Sequence, residues 1–284
     1  MSTTVTKKLM KNALGGSSKR GRKKKSSPAV AVVLVLVLVA SALGIVDLDE
    51  LTGGVTADQA QEQPTTAPAP VPAPEGEVPN GSYFQLTAQQ ASVAKQQLAA
   101  LPVKPHYEGQ YKREYFGTPW TDKAQGVAFA GNGCRTIEDV RVRDMMNVQM
   151  KNKCDVQSGL LWNPYGSKQH PQDDWIPFER GAGAQVDIDH VVALGNAWKT
   201  GAHLLSEEQR VAIANDPINL VAVSASENRS KGDQDVSTWT PANRDIHCGY
   251  AASQVQVKSK YGLWVTPAEQ HVLAQMLETC PAGI

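Results

Sequence analysis

Residues 185–194 read QVDIDHVVAL, and residues 219–233 read NLVAVSASENRSKGD. In the first stretch apolar residues alternate with carboxylates. This alternation predicts a short strand that presents polar side chains at its end. Asp189 and His190 stand at that end, so a carboxylate and an imidazole would leave the strand together.

The second stretch predicts another strand followed by a helix. Asn219 opens an apolar run over residues 219–223, and Ser226 follows it as a candidate helix cap. Asn228 would then lie on the first turns of that helix. The predicted order is strand, excursion, strand and helix, with a polar side chain on each piece.

This arrangement resembles the HNH endonuclease family and its ββα-metal motif. In that family an acidic-His pair ends the first strand, Asn-Leu opens the second, and the helix carries His or Asn with Lys three residues later. The matching residues here are Asp189, His190, Asn219, Leu220, Asn228 and Lys231. The third letter of the motif is therefore Asn rather than His in this chain.

The branch of the family that the sequence resembles shares a domain with the C-terminal part of GmrSD-type restriction enzymes. It is also similar to a group of secreted actinobacterial HNH proteins, over roughly residues 111–280. The resemblance and the mixed pattern of elements predict an α+β fold: an irregular, disulfide-stapled domain around the HNH motif.

The resemblance also implies roles for the residues of the motif. His190 would be the general base, and Asn219 would orient its ring. Asp189 and Asn228 would bind one divalent metal ion, and Asp187 is an additional candidate ligand or partner. Hard oxygen ligands favour Mg²⁺, with Mn²⁺ and Ca²⁺ as alternatives.

Two cations of the predicted helix are candidates for binding the substrate. Lys231 could contact a phosphate as a point charge, and Arg229 could add to a local positive rim. The implied partner is a nucleic acid, either DNA or RNA.

The N-terminal part of the chain has the composition of an export signal. Residues 1–28 contain nine Lys or Arg and no acidic residue, and residues 29–46 form an apolar run interrupted only by Ser41 and Gly44. This asymmetry predicts a cytoplasmic basic tail and a membrane partner for the apolar run, with the rest of the chain outside the cytoplasm. A retained single-pass anchor and a cleaved signal both fit, because Ala40-Ser41-Ala42 offers small residues for cleavage.

The remaining chain divides into a linker and a domain. Residues 47–86 are rich in Pro and Ala and predict a disordered spacer, and residues 87–284 predict the nuclease domain. Without the nine basic residues of the tail, 19 basic residues face 28 acidic ones, a net charge of −9. Such a charge argues against a sequence-specific DNA-binding protein, which usually presents a basic face.

The cysteines number four, and all follow the apolar run. An even number in an exported domain predicts two disulfides. Three pairings are open, and the one between sequence neighbours, Cys134–Cys154 and Cys248–Cys280, is the simplest. A zinc site is the alternative, but the sequence has no Cys-x-x-Cys pair.

Periodicity and capping residues predict several further elements. Helices are expected over residues 87–101, 136–151, 193–200, 206–214 and 267–279. Extended pieces are expected around residues 159–162 and 175–178.

Two functions from different classes remain open at this point. The first is an extracytoplasmic, metal-dependent endonuclease that hydrolyses DNA, and RNA as an alternative, with little sequence specificity. The second is a catalytically inactive, wall- or membrane-anchored binding module with the same fold. A zinc hydrolase is disfavoured because the sequence contains no His-Glu-x-x-His pattern.

Overall fold

The computed structural model describes residues 81–168 and 175–281. The basic tail, the apolar run of residues 29–46 and most of the predicted linker lie outside the described residues. Within the described ranges, no helix combines the length and the apolar character needed to cross a bilayer.

The described residues form an α+β domain, as predicted. Its helices are α1 (Ala88–Ala100), α2 (Thr136–Asp144), α3 (Leu194–Lys199), α4 (Glu207–Asn215), α5 (Ala225–Lys231), α6 (His247–Lys260) and α7 (Pro267–Leu277). Its strands are β1 (Met145–Met150), β2 (Val156–Trp162), β3 (Trp175–Glu179), β4 (Val186–His190) and β5 (Leu220–Ser224). Short 3₁₀ helices cover Gly81–Phe84, Arg113–Phe116, Ala202–Leu204, Pro217–Asn219 and Arg244–Ile246.

The strands form two antiparallel sheets. The first has the order β1-β2-β3, and the second pairs β4 with β5. In the second sheet Val186 lies opposite Ser224 and His190 lies opposite Leu220. The pairing register therefore holds the end of β4 beside the start of β5.

The β4–β5 pair is buried on both faces. Leu220 and Ala222 pack in an apolar cluster that includes residues of the three-stranded sheet. Val221 and Val223 pack in another cluster, which is centred on α6. Burial of both faces explains why β5 reads as a continuous apolar run instead of an alternating one.

The N-terminal end of the described chain is part of the core. Phe84 is only 4% exposed, and its ring stacks on that of Tyr165 with centroids 6.2 Å apart. Gly249 of α6 accommodates this segment, because a β-carbon there would lie 1.7 Å from the Phe84 carbonyl oxygen. The packed domain thus begins before residue 87, where the sequence predicted its start.

The predicted capping residues begin helices in the structure. Capping boxes at Thr87, Ser206 and Thr266 start α1, α4 and α7, which confirms three of the expected helices. The cap of α5 is Ser224, two residues before the expected Ser226, and its side chain accepts a hydrogen bond from the Ser226 backbone N–H.

The helix predicted over residues 136–151 is wrong in its second half. The helix ends at Asp144, and β1 follows at once and pairs with β2. Asn147 has a φ of +52°, which an α-helix does not allow. Helix α6 was not predicted, because its buried residues cover most of its circumference and leave no one-sided apolar stripe.

Both predicted disulfides are confirmed. Cys134 pairs with Cys154 across a Cα–Cα distance of 5.1 Å, and Cys248 pairs with Cys280 across 5.0 Å. The first joins the segment before α2 to the β1–β2 connection. The second joins the start of α6 to the segment after α7.

A buried ion pair also joins α6 to α7. Lys258 and Glu269 have fully buried side chains, and the Lys258 Nζ lies 2.8 Å from the Glu269 Oε1. Asn196 and the Thr266 backbone N–H donate further hydrogen bonds to the same carboxylate. Burial lowers the pKa of Lys258, whereas the Glu269 charge opposes that shift.

Removal of one partner should destabilise the domain more than removal of both charges. Lys258→Met would leave the Glu269 carboxylate buried without its counter-charge, at a cost of about 3–5 kcal/mol. The double variant Lys258→Met, Glu269→Gln should lose less. Free energies of unfolding from urea titrations of the three proteins test this, and a double variant less stable than Lys258→Met would contradict it.

Candidate active site

Asp189 and His190 lie at the end of β4, and their side chains leave the strand on opposite faces. Successive residues of a strand point to opposite faces, so His190 shares the face of Ile188 while Asp189 shares that of Asp187. The ladder continues past the strand, because the Val191 N–H donates to the Asn219 carbonyl oxygen at 2.8 Å. Both polar side chains are therefore carried by rigid, paired backbone.

The His190 ring is held by a backbone carbonyl. Its Nε2 lies 3.0 Å from the Ala214 carbonyl oxygen at the end of α4. A carbonyl oxygen can only accept, so Nε2 carries the proton and Nδ1 keeps its lone pair in the neutral ring. The contact thus selects the tautomer in which Nδ1 is the basic nitrogen.

An aromatic side chain covers the imidazole. The Trp120 ring stacks on the His190 ring with centroids 5.5 Å apart and an angle of 16° between planes. Trp120 has a φ of +57°, an uncommon backbone conformation for a bulky residue. Such strain persists where surrounding structure requires it, and here it places the indole over the histidine.

Burial keeps His190 neutral. The side chain is 6% exposed, and desolvation lowers its pKa from 6.5 to about 3. The positive charges of Arg113 and Lys231 add to this effect, whereas the hydrogen bond to Ala214 opposes it. The ring is therefore unprotonated across the whole neutral range.

Asp189 is buried against a cation and a phenol. The Lys231 Nζ lies 2.9 Å from each carboxylate oxygen, and the Tyr165 hydroxyl donates to Oδ2 at 2.6 Å. Lys231 also donates to the His190 carbonyl oxygen at 2.7 Å. One ammonium group thus fixes both residues of the pair.

The placement of Lys231 corrects its predicted role. Lys231 was predicted to be a point charge for a phosphate, but its side chain is only 1% exposed and pairs with Asp189. Its position at the C-terminal end of α5 directs it inward, beneath the candidate site.

Asn219 also acts differently from the prediction. Its Oδ1 accepts from the Val192 N–H at 2.8 Å, and its Nδ2 donates to the Val192 and Ile213 carbonyl oxygens. These bonds are to backbone and not to the His190 ring. Asn219 therefore fixes the segment after His190 and the residue before Ala214, and it orients the imidazole indirectly.

Helix α5 brings two predicted residues to the site. Asn228 is half-buried, and its Nδ2 donates to the Asp187 Oδ2 at 3.2 Å. Arg229 follows it on the exposed side of the helix. Asn228 thus faces β4, as the motif predicts, and its amide links α5 to the carboxylate of Asp187.

These side chains surround a cleft of about 290 Å³. The predicted residues that line it are Asp189, His190, Asn228 and Arg229, and the lining residues that the sequence analysis missed include Arg113 and Asp233. Arg113 lies on the 3₁₀ helix Arg113–Phe116, far from the motif along the chain. No local pattern marks it, since only the fold brings it beside His190.

The oxygen atoms around this cleft suit a hard divalent cation. The Asp189 Oδ1 accepts one hydrogen bond, from Lys231, so its second lone pair stays available for a metal ion. Asn228 lines the cleft with its amide, and Asp187 lies beside Asn228. These groups offer fewer oxygens than Mg²⁺ binds, so water or substrate oxygens would complete its coordination.

A second group of potential ligands lies elsewhere in the described chain. His106, Asp235 and Glu269 each offer one potential ligand atom, and these three atoms lie within 4.8 Å of one another. Glu269, however, already accepts hydrogen bonds from the buried Lys258 ammonium and from Asn196. This carboxylate therefore belongs to the buried network that joins α6 to α7.

Comparison with known proteins agrees with the geometry of the site. Residues 146–276 match the family of the C-terminal domain of GmrSD restriction endonucleases. Domains of this nuclease type act on nucleic acid and generally use a divalent metal ion. No solved structure matches the chain.

A relative in Arthroderma benhamiae carries the description of an uncharacterised secreted protein. It is 38% identical over 216 residues, which cover 75% of this chain and 92% of the relative. The two disulfides of this chain are typical of proteins that fold outside the cytoplasm. The actinobacterial grouping implied by the sequence resemblance gains no support from these matches. The chain therefore belongs to the family of this secreted protein, and its residues 146–276 form a nuclease-type domain related to the C-terminal domain of GmrSD restriction endonucleases.

Proposed function

We propose that this chain is an extracytoplasmic, metal-dependent endonuclease that hydrolyses phosphodiester bonds of DNA with little sequence specificity. The observation that carries the proposal is the convergence of the neutral His190 ring, Asp189 and Asn228 on one cleft. Residues 29–46, which lie outside the described residues, would provide the export signal as a retained anchor or a cleaved segment.

His190 is the general base in this proposal. Its Nδ1 lone pair accepts a proton from the attacking water, while Nε2 stays bonded to Ala214. The ring has a low pKa in the free protein. A bound phosphodiester anion would raise that pKa, whereas a bound divalent cation would lower it.

Asp189 and Asn228 would hold the metal ion, and Asp187 would support Asn228 through their hydrogen bond. A bound divalent ion supplies charge neutralisation at the phosphoryl oxygens and at the leaving oxygen. Mg²⁺ is the first choice for such oxygen ligands, with Mn²⁺ and Ca²⁺ as alternatives. Lys231 holds the Asp189 carboxylate in position at the same time.

The alternative is a binding module that keeps the fold without the reaction. Two observations favour it: His190 is 6% exposed, and both oxygens of Asp189 already have protein partners. Nicking of supercoiled plasmid by the purified protein, with Mg²⁺, Mn²⁺ or EDTA, separates the two functions. An absence of metal-dependent cleavage of both DNA and RNA would favour the binding module.

Replacement of the base should remove most of the cleavage. His190→Ala should lower the nicking rate by about 10²–10⁴-fold, the usual contribution of general-base catalysis. His190→Gln should lose as much while it fills the space of the ring. The matched control is His271→Ala, which removes an exposed histidine of α7.

Initial nicking rates of these proteins, with circular dichroism as a check of folding, provide the measurement. His271→Ala should cleave at the wild-type rate. A correctly folded His190→Gln protein with wild-type activity would refute the assignment of the base.

Loss of the amide ligand should weaken the response to metal. Asn228→Ala should raise the Mg²⁺ concentration for half-maximal cleavage by about 10- to 100-fold, so excess Mg²⁺ should partly restore activity. Asn228→His keeps a metal-binding side chain and should respond nearly as wild type does. Ser230→Ala, on the exposed side of α5, is the control, and equal Mg²⁺ titrations for Asn228→Ala and wild type would count against this ligand.

The burial of His190 predicts a loss of stability in acid. In the unfolded chain the imidazole binds a proton below about pH 6.5, but in the folded chain it does so only near pH 3. The unfolded state therefore binds more protons in this window, and stability falls as pH falls, by up to about 1.4 kcal/mol per pH unit.

Urea unfolding between pH 7 and pH 4 measures this dependence. His190→Gln lacks the titrating ring, so its stability should decline less steeply over the same pH range than that of the wild type. Parallel curves for the two proteins would show that the ring titrates normally in the folded state.

A further inference from the structure

The burial of Lys231 leaves the phosphate of a substrate without the partner that the sequence suggested. We propose that Arg113 binds the phosphate of the nucleic acid beside His190. This inference rests on the proposed nuclease function and assigns a substrate-binding residue that lies outside the HNH motif.

The position of Arg113 connects it to the base. The side chain is exposed, and it lines the cleft that also contains Asp189, His190 and Asn228. It lines a second, smaller cavity together with Trp120 and His190. Arg113 and His190 thus share the lining of both cavities.

The charges around the cleft favour the same assignment. Its lining includes the guanidinium groups of Arg113 and Arg229 and the carboxylates of Asp189 and Asp233. Asp189 is neutralised by Lys231, and Asp233 accepts a hydrogen bond from the Gly195 N–H. Among the ion pairs between described side chains, none engages either arginine.

Arg113 is better placed than Arg229 for the scissile phosphate. Arg229 follows Asn228 on the exposed side of α5, whereas Arg113 comes from the N-terminal segment on the side of His190. The Tyr111 hydroxyl is a neighbouring polar group that interacts with Arg113. Burial raises the pKa of Tyr111 to about 12, so the hydroxyl remains a neutral partner.

The chemistry of the guanidinium suits this role. Arginine stays charged at all working pH values and presents paired N–H donors that match two phosphate oxygens. In an exported part with a net charge of −9, long-range attraction cannot concentrate a polyanion at the cleft. The paired N–H donors of Arg113, next to His190, would then contribute much of the binding and orientation of the phosphate.

The test compares Arg113→Gln and Arg113→Lys with Lys112→Gln, which removes the neighbouring exposed charge. Cleavage of a short fluorescein-labelled single-stranded oligodeoxynucleotide in Mg²⁺ gives kcat/KM, and its fluorescence anisotropy in EDTA gives binding without cleavage. Arg113→Gln should lower kcat/KM by about 10- to 100-fold, because it removes charge-assisted hydrogen bonds to the phosphate. Arg113→Lys should recover part of the loss, and Lys112→Gln should stay close to wild type.

Salt dependence separates a phosphate contact from a structural role. Arg113→Gln should reduce the slope of log affinity against log salt concentration by about 0.7, the value for one phosphate contact on single strands. If the wild type cleaves the oligonucleotide and Arg113→Gln has the same rate and the same salt slope, this inference is overturned. The nuclease function would still be supported in that case. An equal loss in Lys112→Gln would also overturn it, since general charge would then explain the effect. A wild-type protein that neither cleaves nor binds the oligonucleotide would overturn both proposals.

Discussion

The buried ion pair between Lys231 and Asp189 is the interaction on which the geometry of the candidate site depends. The Lys231 ammonium bonds to the Asp189 carboxylate and to the His190 carbonyl oxygen, so it joins the end of α5 to the end of β4. A charge without a partner would be costly at this depth, and each member therefore holds the other in place. The position of α5 against β4 follows from the same requirement.

This ion pair also limits which side chains of the candidate site are available for other contacts. Because Lys231 is committed to Asp189, it cannot serve the substrate, and a guanidinium from outside the motif is available instead. In the proposed mechanism a cation would also need oxygens from Asn228 and from the substrate, because Lys231 already compensates part of the Asp189 charge.

The sequence predicted those features that depend on neighbouring residues. The strand ending in Asp189 and His190 follows from a period of two, and the capping boxes and disulfides follow from local patterns. It did not predict the partners of Asn219 or the burial of Lys231, since both depend on contacts with residues distant in the chain. Arg113 was not predicted as a site residue for the same reason, because nothing in its own segment distinguishes it from the exposed charges beside it.

The depth of His190 links the fold to the reaction. The Trp120 ring, the Ala214 carbonyl oxygen and the paired strands leave the imidazole neutral and fixed in one tautomer. The low pKa that results makes the free ring a weak base, although it guarantees that the ring can accept a proton at neutral pH. In the proposed mechanism, a phosphate anion in the cleft would favour the imidazolium form and a divalent cation would oppose it. The balance of these two charges beside the buried ring would then set the strength of the base.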